Sequence, residues 1–213
     1  MGFLSWAMAR YYDAIMANAE RSCLGQWRSE LLAGLSGRVL EIGAGTGVNL
    51  RYYPAAVSEL VLTEPDRHMR SRLDAKLADL SIPHHLIGTT AESLPFANES
   101  FDAAVVTLVL CSVHDQQQSL AELNRVLKPG SAIALIEHVA AAGPGRTLRL
   151  QQRLEPLWKR CAGNCHLTRD TLAAFRTGGF NTSAIARDTM LGAPKFAAPV
   201  IRGIAEKPEI LAD

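Results

Sequence analysis

A glycine-rich segment and an acidic residue downstream of it carry the clearest chemical signal in the chain. Glu41–Gly47 reads EIGAGTG and directly follows a predicted strand. Gly43 and Gly45 would let the backbone turn tightly and approach a ligand, and Gly47 would begin the next helix in close packing. Glu64 ends the second predicted strand, where a carboxylate can accept both hydroxyl hydrogens of a ribose. Together these residues predict a site for a nucleotide-type ligand.

The spacing of the glycines separates the classes of nucleotide site. A dinucleotide-binding turn has the pattern GxGxxG and places a helix N-terminus against pyrophosphate. Here the pattern is GxGxG, and Glu41 before it suits a cationic ligand or an amino group better than pyrophosphate. No Gly-Lys-Ser/Thr follows, which excludes a Walker phosphate-binding loop. A plain strand-to-helix turn is disfavoured because three glycines and two acidic residues coincide.

Four segments resemble the motifs of class I S-adenosylmethionine-dependent methyltransferases. VLEIGAGTG (39–47) is similar to their first motif, and VLTEPD (61–66) is similar to their second, ribose-binding motif. TTAESLPFANESFDAAVV (89–106) resembles the segment with the adenine contact and the fourth strand. LAELNRVLKPGSAIALIEH (120–138) is similar to the helix, turn and fifth strand of the ubiquinone-biosynthesis-like subgroup. The resemblance implies a methyltransferase that uses S-adenosylmethionine.

The resemblance also implies which residues contact this cofactor. The glycines border its methionine portion, Glu64 holds the ribose, and residues 91–92 lie beside the adenine. Residues 107–108 run past the methionine end, and Tyr12 of a Tyr-Asp pair closes over the cofactor. The implied cofactor-binding residues are Tyr12, Glu41, Gly43, Ala44, Gly45, Gly47, Glu64, Pro65, Ala91, Glu92, Thr107 and Leu108.

A narrower resemblance concerns the methyl acceptor. Segments 49–54, 107–130, 136–141 and 150–171 resemble alkyl thiol S-methyltransferases anchored in the animal endoplasmic reticulum and their soluble bacterial relatives. The resemblance ends at the N-terminus, where the animal proteins carry a hydrophobic anchor and this chain has an amphipathic helix. It implies a small lipophilic acceptor, first of all a thiol sulfur. The alternatives are C- or O-methylation of a quinone-like or phenolic ring, N-methylation of a phospholipid, or a non-catalytic cofactor-binding module.

Methyl transfer to a thiol requires mainly that the protein align the two reactants and that one proton be removed. His138 follows the fifth strand, at the sheet edge where ligands bind, and is the predicted base. The alternative is that it donates to a loop carbonyl and only shapes the wall. His114 is predicted to contact the acceptor or to cap the helix that starts at residue 116. Trp6, Cys165 and His166 complete the predicted acceptor contacts.

The cysteines allow two interpretations. Cys161, Cys165 and His166 form the pattern C-x₃-C-H, and Cys111 could lie near them. Because C-x₃-C is not a strong zinc spacing and no fourth ligand is evident, no metal is predicted. The cysteines are interpreted as small buried residues first and as contacts of the acceptor second. So few cysteines suit a reducing compartment, and the expected localisation is cytoplasmic.

Strand and helix signals alternate from residue 38 to residue 138, which predicts βαβ units and a parallel sheet. With two closing strands at 181–187 and 199–205, the expected fold class is α/β, a doubly wound, mostly parallel, seven-stranded sheet. An apolar stripe over 1–35 predicts one N-terminal helix. The domains are expected to be an N-terminal helical lid (1–37) and the methyltransferase domain (38–213), forming one structural unit.

Composition excludes several classes of partner. The chain has 213 residues, of which 48% are hydrophobic and 20% charged, and its formal net charge is +1. This suits one domain with one substantial core. No basic patch is present to hold a nucleic acid. The most hydrophobic stretch, 103–111, is about half the length needed to cross a bilayer, so no stable membrane insertion is expected. The expected partner is a small molecule, and the sequence carries no signal for the oligomeric state.

Overall fold

A seven-stranded sheet forms the centre of the computed structural model, which describes residues 3–209. The strands lie in the order β3-β2-β1-β4-β5-β7-β6; the first five run parallel, and β7 lies antiparallel between β5 and β6. The strands are β1 (Gly37–Ile42), β2 (Val57–Thr63), β3 (His84–Ile87), β4 (Phe101–Thr107), β5 (Leu127–His138), β6 (Asn181–Thr189) and β7 (Pro199–Glu206). The expected doubly wound, mostly parallel sheet is confirmed.

Helices cover both faces of this sheet. One face packs against α2 and α3 through side chains such as Leu32 and Leu73, and the other packs against α4 and α6 through Leu120 and Phe175. The strand β4 contributes alternate residues to both cores, as expected for a strand that is buried on both faces. The helices are α1 (Phe3–Ala19), α2 (Gly25–Leu32), α3 (Arg67–Leu77), α4 (Gln116–Val126), α5 (Arg146–Cys161) and α6 (Thr171–Thr177).

The N-terminal segment differs from the single helix predicted for it. A five-residue π-helical turn, Glu20–Leu24, separates α1 from α2. The Gly25 N–H donates to the carbonyl oxygen of Glu20, and a Cβ at Gly25 would lie only 2.9 Å from that oxygen. The wider turn therefore depends on a glycine, which the apolar periodicity did not signal. Residues 1, 2 and 210–213 of the predicted domains lie outside the described residues.

Two other boundaries also differ from the predictions. Gly47 does not begin an α-helix, because its backbone is left-handed (φ +79°), and only a short 3₁₀ turn, Leu50–Tyr52, follows. The fifth strand begins at Leu127 rather than at Ser131. An irregularity in the β4–β5 register accommodates the Lys-Pro-Gly sequence that was predicted only to stop α4.

The helical N-terminus is held to the sheet by buried and partly buried polar contacts. Asp13 on α1 accepts a hydrogen bond from Thr46 in the glycine-rich segment at 2.5 Å and pairs with Lys76 on α3 at 3.2 Å. Arg28 on α2 is 4% exposed and donates at 3.0 Å both to Glu20 and to the Thr107 hydroxyl at the end of β4. These contacts place α1 and α2 against the carboxyl ends of the central strands.

Within residues 3–209, every helix is too short or too polar to cross a bilayer. The longest, α1, has 17 residues and includes Arg10 and Asp13.

We expect Arg28→Met to lower the free energy of unfolding by about 3–5 kcal/mol, because it leaves the largely buried Glu20 carboxylate without its cation. Chemical denaturation with urea measures the change. Arg21→Met, an exposed change in the same turn, is the matched control and should stay within about 0.5 kcal/mol of the parent. A loss below about 1 kcal/mol for Arg28→Met would show that this ion pair does not anchor the helical N-terminus.

Candidate active site

The glycine-rich segment forms a tight turn at the carboxyl end of β1. Gly43 and Gly45 have left-handed backbones, with φ of +60° and +58°. A Cβ added at Gly43 would lie 2.6 Å from the Val109 side chain, whereas one added at Gly45 would meet only a carbonyl oxygen at 3.9 Å. Gly47 is also packed, since a Cβ there would lie 2.7 Å from Leu73. Gly45 is therefore the glycine that borders open space, where a ligand can approach the backbone.

Glu64 stands beside this turn, one residue after β2. Its carboxylate is 7% exposed and accepts the backbone N–H groups of Gly45 and Asp66, each at 2.8 Å and each on a different oxygen. Burial raises the pKa of Glu64 above its usual value, against the opposing effect of these two donors. Each oxygen keeps a free lone pair. Two hydroxyl groups of a ribose match this donor requirement, so the residues present fit the predicted ligand.

Glu41 is placed inside the protein. Its carboxylate accepts hydrogen bonds from the Asn49 amide at 2.7 Å and from the Tyr53 hydroxyl at 2.6 Å, and the residue is 2% exposed. Burial raises the pKa of Glu41 above its usual value. Both oxygens thus already have partners within the turn. A contact of Glu41 with the cofactor stays a prediction, while its role in fixing the turn is visible.

The helix α1 packs against the same edge. Ser5 hydrogen-bonds to Asp66, and Asp13 bonds to Thr46, so α1 contacts the segments after both β1 and β2. Burial raises the pKa of the Tyr12 phenol to about 12, and the nearby thiols of Cys111 and Cys165 contribute to the rise. Tyr12 is a partly buried residue of α1.

The other predicted cofactor residues lie around the same edge. Ala91 is buried, and the Glu92 carboxylate accepts the backbone N–H of His114 at 2.7 Å, which ties the predicted adenine segment to the loop before α4. The Thr107 hydroxyl accepts hydrogen bonds from Arg28 and from Asn49 at 3.0 and 3.1 Å. Ala44 is buried in the turn and Pro65 is exposed. Their contacts with a cofactor stay predictions.

Glu137, near the end of β5, holds the loop that follows β4. Leu108 leaves β4 with a left-handed backbone (φ +60°). The fully buried Glu137 carboxylate accepts the next three backbone N–H groups, those of Val109, Leu110 and Cys111, at 2.7, 2.9 and 3.0 Å. Burial raises the pKa of Glu137 to about 7, although the three donors oppose the rise. This residue was missed in the sequence, where it looked like the last residue of a buried strand.

Cys111, His138 and Cys165 form a buried cluster next to this loop. The His138 Nδ1 atom lies 3.5 Å from Cys165 Sγ and 3.9 Å from Cys111 Sγ. The relative exposures of Cys111, His138 and Cys165 are 1%, 8% and 5%. Each comes from a different element: the loop after β4, the end of β5 and the turn after α5. The expectation of buried cysteines is confirmed for Cys111 and Cys165, whereas Cys161 is exposed.

The pKa values of the three cluster residues are shifted in different directions. A hydrogen bond from the Cys111 thiol and a second from His138 lower the pKa of the Cys165 thiol to about 4. The same bond to Cys165, together with burial, raises the pKa of Cys111 well above its usual value. Burial disfavours the charged form of His138, but its bond to Cys165 outweighs this effect and raises its pKa. The contacts within the cluster thus favour the thiolate form of Cys165 over that of Cys111.

The predicted acceptor residues do not form one group. Cys165 lies in the buried cluster, and His166 places its ring 3.9 Å from Glu155 while its backbone N–H donates to the Cys111 carbonyl. Trp6 is 46% exposed on α1. His114 is exposed and does not cap α4; the Asp115 carboxylate does so by accepting the Gln118 N–H at 3.0 Å, since a carboxylate at that position reaches the free N–H.

Known proteins resemble this chain in sequence and in fold. Residues 40–135 match a family model described as a methyltransferase domain. A thiol S-methyltransferase of Rattus norvegicus is 36% identical over 168 residues, which covers 76% of this chain and 67% of that protein. A demethylmenaquinone methyltransferase of Renibacterium salmoninarum is 31% identical over 121 residues, covering 56% of this chain and 49% of that protein.

A solved structure of similar fold comes from Thermotoga maritima. It is described as an S-adenosylmethionine-dependent methyltransferase and possible histamine N-methyltransferase. The two chains superpose with a TM-score of 0.69 at 20% identity, covering 97% of this chain and all of that one. At this identity the likeness concerns the fold alone, and it extends over the helical N-terminus as well as the sheet.

We expect Glu137→Gln to lower the free energy of unfolding by about 1–3 kcal/mol, because the amide nitrogen cannot accept the buried Cys111 N–H. Denaturation with urea at neutral pH measures this loss. The matched control is Glu206→Gln, an exposed residue at the end of β7, which should change stability by less than about 0.5 kcal/mol. Equal stability of the two variants would contradict a role for Glu137 in holding the loop.

Proposed function

Since the chain belongs to the class I S-adenosylmethionine-dependent methyltransferases, we propose that it transfers a methyl group to the sulfur of a small lipophilic thiol. The observation that carries this proposal is the similarity to a thiol S-methyltransferase over 76% of the chain. That similarity is longer than the matched methyltransferase domain, so it includes residues outside the donor motifs. The quinone-type relative matches only 56% of the chain, which makes C-methylation of a quinone-like ring the second candidate.

S-Adenosylmethionine supplies an electrophilic methyl group on a sulfonium sulfur when it is bound. Glu64 would hold the ribose hydroxyls, because its two oxygens keep free lone pairs beside the turn. Gly45 would let the backbone approach the methionine portion without a Cβ in the way. Tyr12 and Ala91 are the proposed contacts on the helical N-terminus and beside the adenine.

The residues of the chain then have to align the acceptor and exclude water. Transfer forms a bond from the methyl carbon to the acceptor sulfur, breaks the bond from that carbon to the sulfonium, and releases the thiol proton. A thiol needs little activation, since a few per cent is thiolate at neutral pH and the thiolate is strongly nucleophilic. The helix α1 covers the turn after β1 and would keep water from the reacting atoms.

His138 as the general base stays a prediction. Its Nδ1 atom is directed at two thiols of the protein itself, and its Nε2 atom is buried. The hydrogen-bonding partners of the imidazole are therefore Cys165 and Cys111 of the chain itself. A role for His138 toward the acceptor would have to pass through this cluster.

We expect Glu64→Ala to weaken the binding of S-adenosylhomocysteine by about 10- to 150-fold, because a hydrogen bond to a charged group contributes about 1.5–3 kcal/mol. Isothermal titration calorimetry of the purified protein measures the change. Glu59→Gln, which alters a carboxylate near the other end of β2, is the matched control and should bind as the parent does. Unchanged affinity of Glu64→Ala would mean that the ribose is held elsewhere.

The acceptor class is tested with a panel of an alkyl thiol, a thiophenol, a phenol, a quinol and an amine. We expect S-adenosylhomocysteine release with the thiols and the matching methyl sulfides as products, both measured by mass spectrometry. The thiols should react fastest because sulfur is the acceptor that needs least help from a base. Exclusive turnover of the quinol would instead establish the second candidate, and exclusive turnover of the phenol or amine would contradict both.

A further inference from the structure

We propose that Cys111, His138 and Cys165 bind one Zn²⁺ ion. Within residues 3–209 they form one group of His, Cys, Asp or Glu side chains whose ligand atoms all lie within 4.8 Å of one another. Two sulfurs and one imidazole nitrogen are the donor set that zinc takes in proteins. This set differs from the Cys161, Cys165 and His166 motif of the sequence, of which only Cys165 is part of the cluster.

The distances already approach those of a tetrahedral ion. Bond lengths of about 2.3 Å to sulfur and about 2.0–2.1 Å to nitrogen put a sulfur and a nitrogen ligand about 3.6 Å apart. The observed separations from His138 Nδ1 are 3.5 Å to Cys165 Sγ and 3.9 Å to Cys111 Sγ. The two sulfurs lie within 4.8 Å of each other, whereas a tetrahedral ion with these bond lengths puts them about 3.8 Å apart. Movements of about 1 Å or less therefore let the three side chains share one ion.

The charges balance when the ion is bound. Cys111 and Cys165 would bind as thiolates and His138 as a neutral imidazole, so two negative charges neutralise Zn²⁺. The ion with its three protein ligands then carries no net charge, which lowers the cost of burying it. Hard cations such as Mg²⁺ are excluded by the sulfur ligands, because they prefer carboxylate, carbonyl and water oxygens.

The three ligands are held in place by backbone contacts that do not involve a metal. Glu137 fixes the loop that carries Cys111. The turn after α5 is tied to the same loop, because the Asn164 side chain donates to the Ser112 carbonyl at 2.7 Å and the His166 N–H donates to the Cys111 carbonyl at 2.7 Å. Such preorganisation favours metal binding, because little chain entropy is lost when the ion enters.

Three protein ligands leave the fourth position of a tetrahedral zinc ion free, as in catalytic zinc sites. We assign this position to the acceptor thiol, a step that rests on the proposed function. Coordination to zinc deprotonates a thiol, with the proton released to solvent, so the acceptor would reach the methyl donor as a thiolate without a separate base. The third thiolate gives the site one negative charge, which is removed when the sulfonium methyl group is transferred and a neutral methyl sulfide leaves. The cluster lies at the carboxyl ends of β4 and β5, and Val109 in the loop that carries Cys111 packs against Gly43 in the turn after β1.

Binding is tested first, on the purified full-length chain after removal of metal with a chelator. Titration with Co²⁺ should give thiolate-to-cobalt charge-transfer bands and the visible bands of a tetrahedral ion, saturating at one equivalent. Zn²⁺ should abolish both sets of bands by displacement. Cys111→Ser, His138→Gln and Cys165→Ser should each weaken Zn²⁺ binding by more than the roughly 10- to 100-fold caused by changes outside the ligand set.

Cys161→Ser is the matched control, because it removes an exposed thiol four residues from Cys165. It should bind Co²⁺ as the parent does. The thermal midpoint of every metal-free variant is measured alongside, so that a variant that fails to fold is not counted as a lost ligand. Parent protein that binds Co²⁺ no better than a folded Cys165→Ser variant would overturn the zinc site, whatever the catalytic result.

Activity tests the fourth position separately. Metal-free protein should lose thiol methylation and recover it with one equivalent of Zn²⁺, while S-adenosylhomocysteine binding stays unchanged. One-equivalent binding together with equal thiol turnover in the metal-free protein would overturn the role of zinc toward the acceptor and leave the binding site intact. Zinc-loaded protein that methylates only quinols would instead refute the proposed function, and with it the assignment of the fourth position.

Discussion

The arrangement of the candidate site depends on one buried carboxylate, that of Glu137. Leu108 leaves β4 with a left-handed backbone, a conformation that costs a non-glycine residue about 1–3 kcal/mol. The next three N–H groups consequently leave the sheet ladder, and buried backbone donors need partners. Glu137 accepts all three, so the loop after β4 is fixed by the neighbouring strand β5. Cys111 and the cluster around His138 follow from this one set of bonds.

A buried carboxylate that accepts backbone N–H groups also occurs on the other side of the site. Glu64 follows β2 and accepts two backbone N–H groups, one of them from Gly45 in the turn after β1. In each case a carboxylate at the end of one parallel strand fixes the segment that follows the neighbouring strand. Glu137 at the end of β5 fixes the loop after β4, and Glu64 after β2 fixes the turn after β1. Glu137 accepts three hydrogen bonds, all from backbone N–H groups, whereas each Glu64 oxygen accepts one and keeps a lone pair for a ligand. This difference separates a positioning residue from a binding residue.

The sequence predicted the parts of the site that depend on short-range patterns. The glycine turn, the position of Glu64 and the mostly parallel sheet could be inferred because each rests on neighbouring residues or on alternating elements. The cluster of Cys111, His138 and Cys165 could not be inferred, because its members come from three elements that are far apart in the sequence. Gly163 and Asn164 both have left-handed backbones, and the turn that they form buries Cys165 while Cys161 stays exposed. The C-x₃-C spacing therefore suggested that Cys161 and Cys165 lie together, and the turn between them prevents this.

The two sides of the site meet at β4, and this has a consequence for the choice of acceptor. Thr107 ends β4 and accepts hydrogen bonds from Arg28 and Asn49, while Asn49 also bonds to Glu41 in the turn. The proposed donor side is thus built from β1, β2 and the helical N-terminus, whereas the proposed acceptor side is built from the loops after β4 and α5. Because the loops of the acceptor side lie outside the donor contacts, their residues can change the methyl acceptor while the donor motifs stay the same. A shared donor motif therefore cannot decide between a thiol and a quinone-like ring, and the proposed thiol acceptor rests on the residues that lie outside that motif.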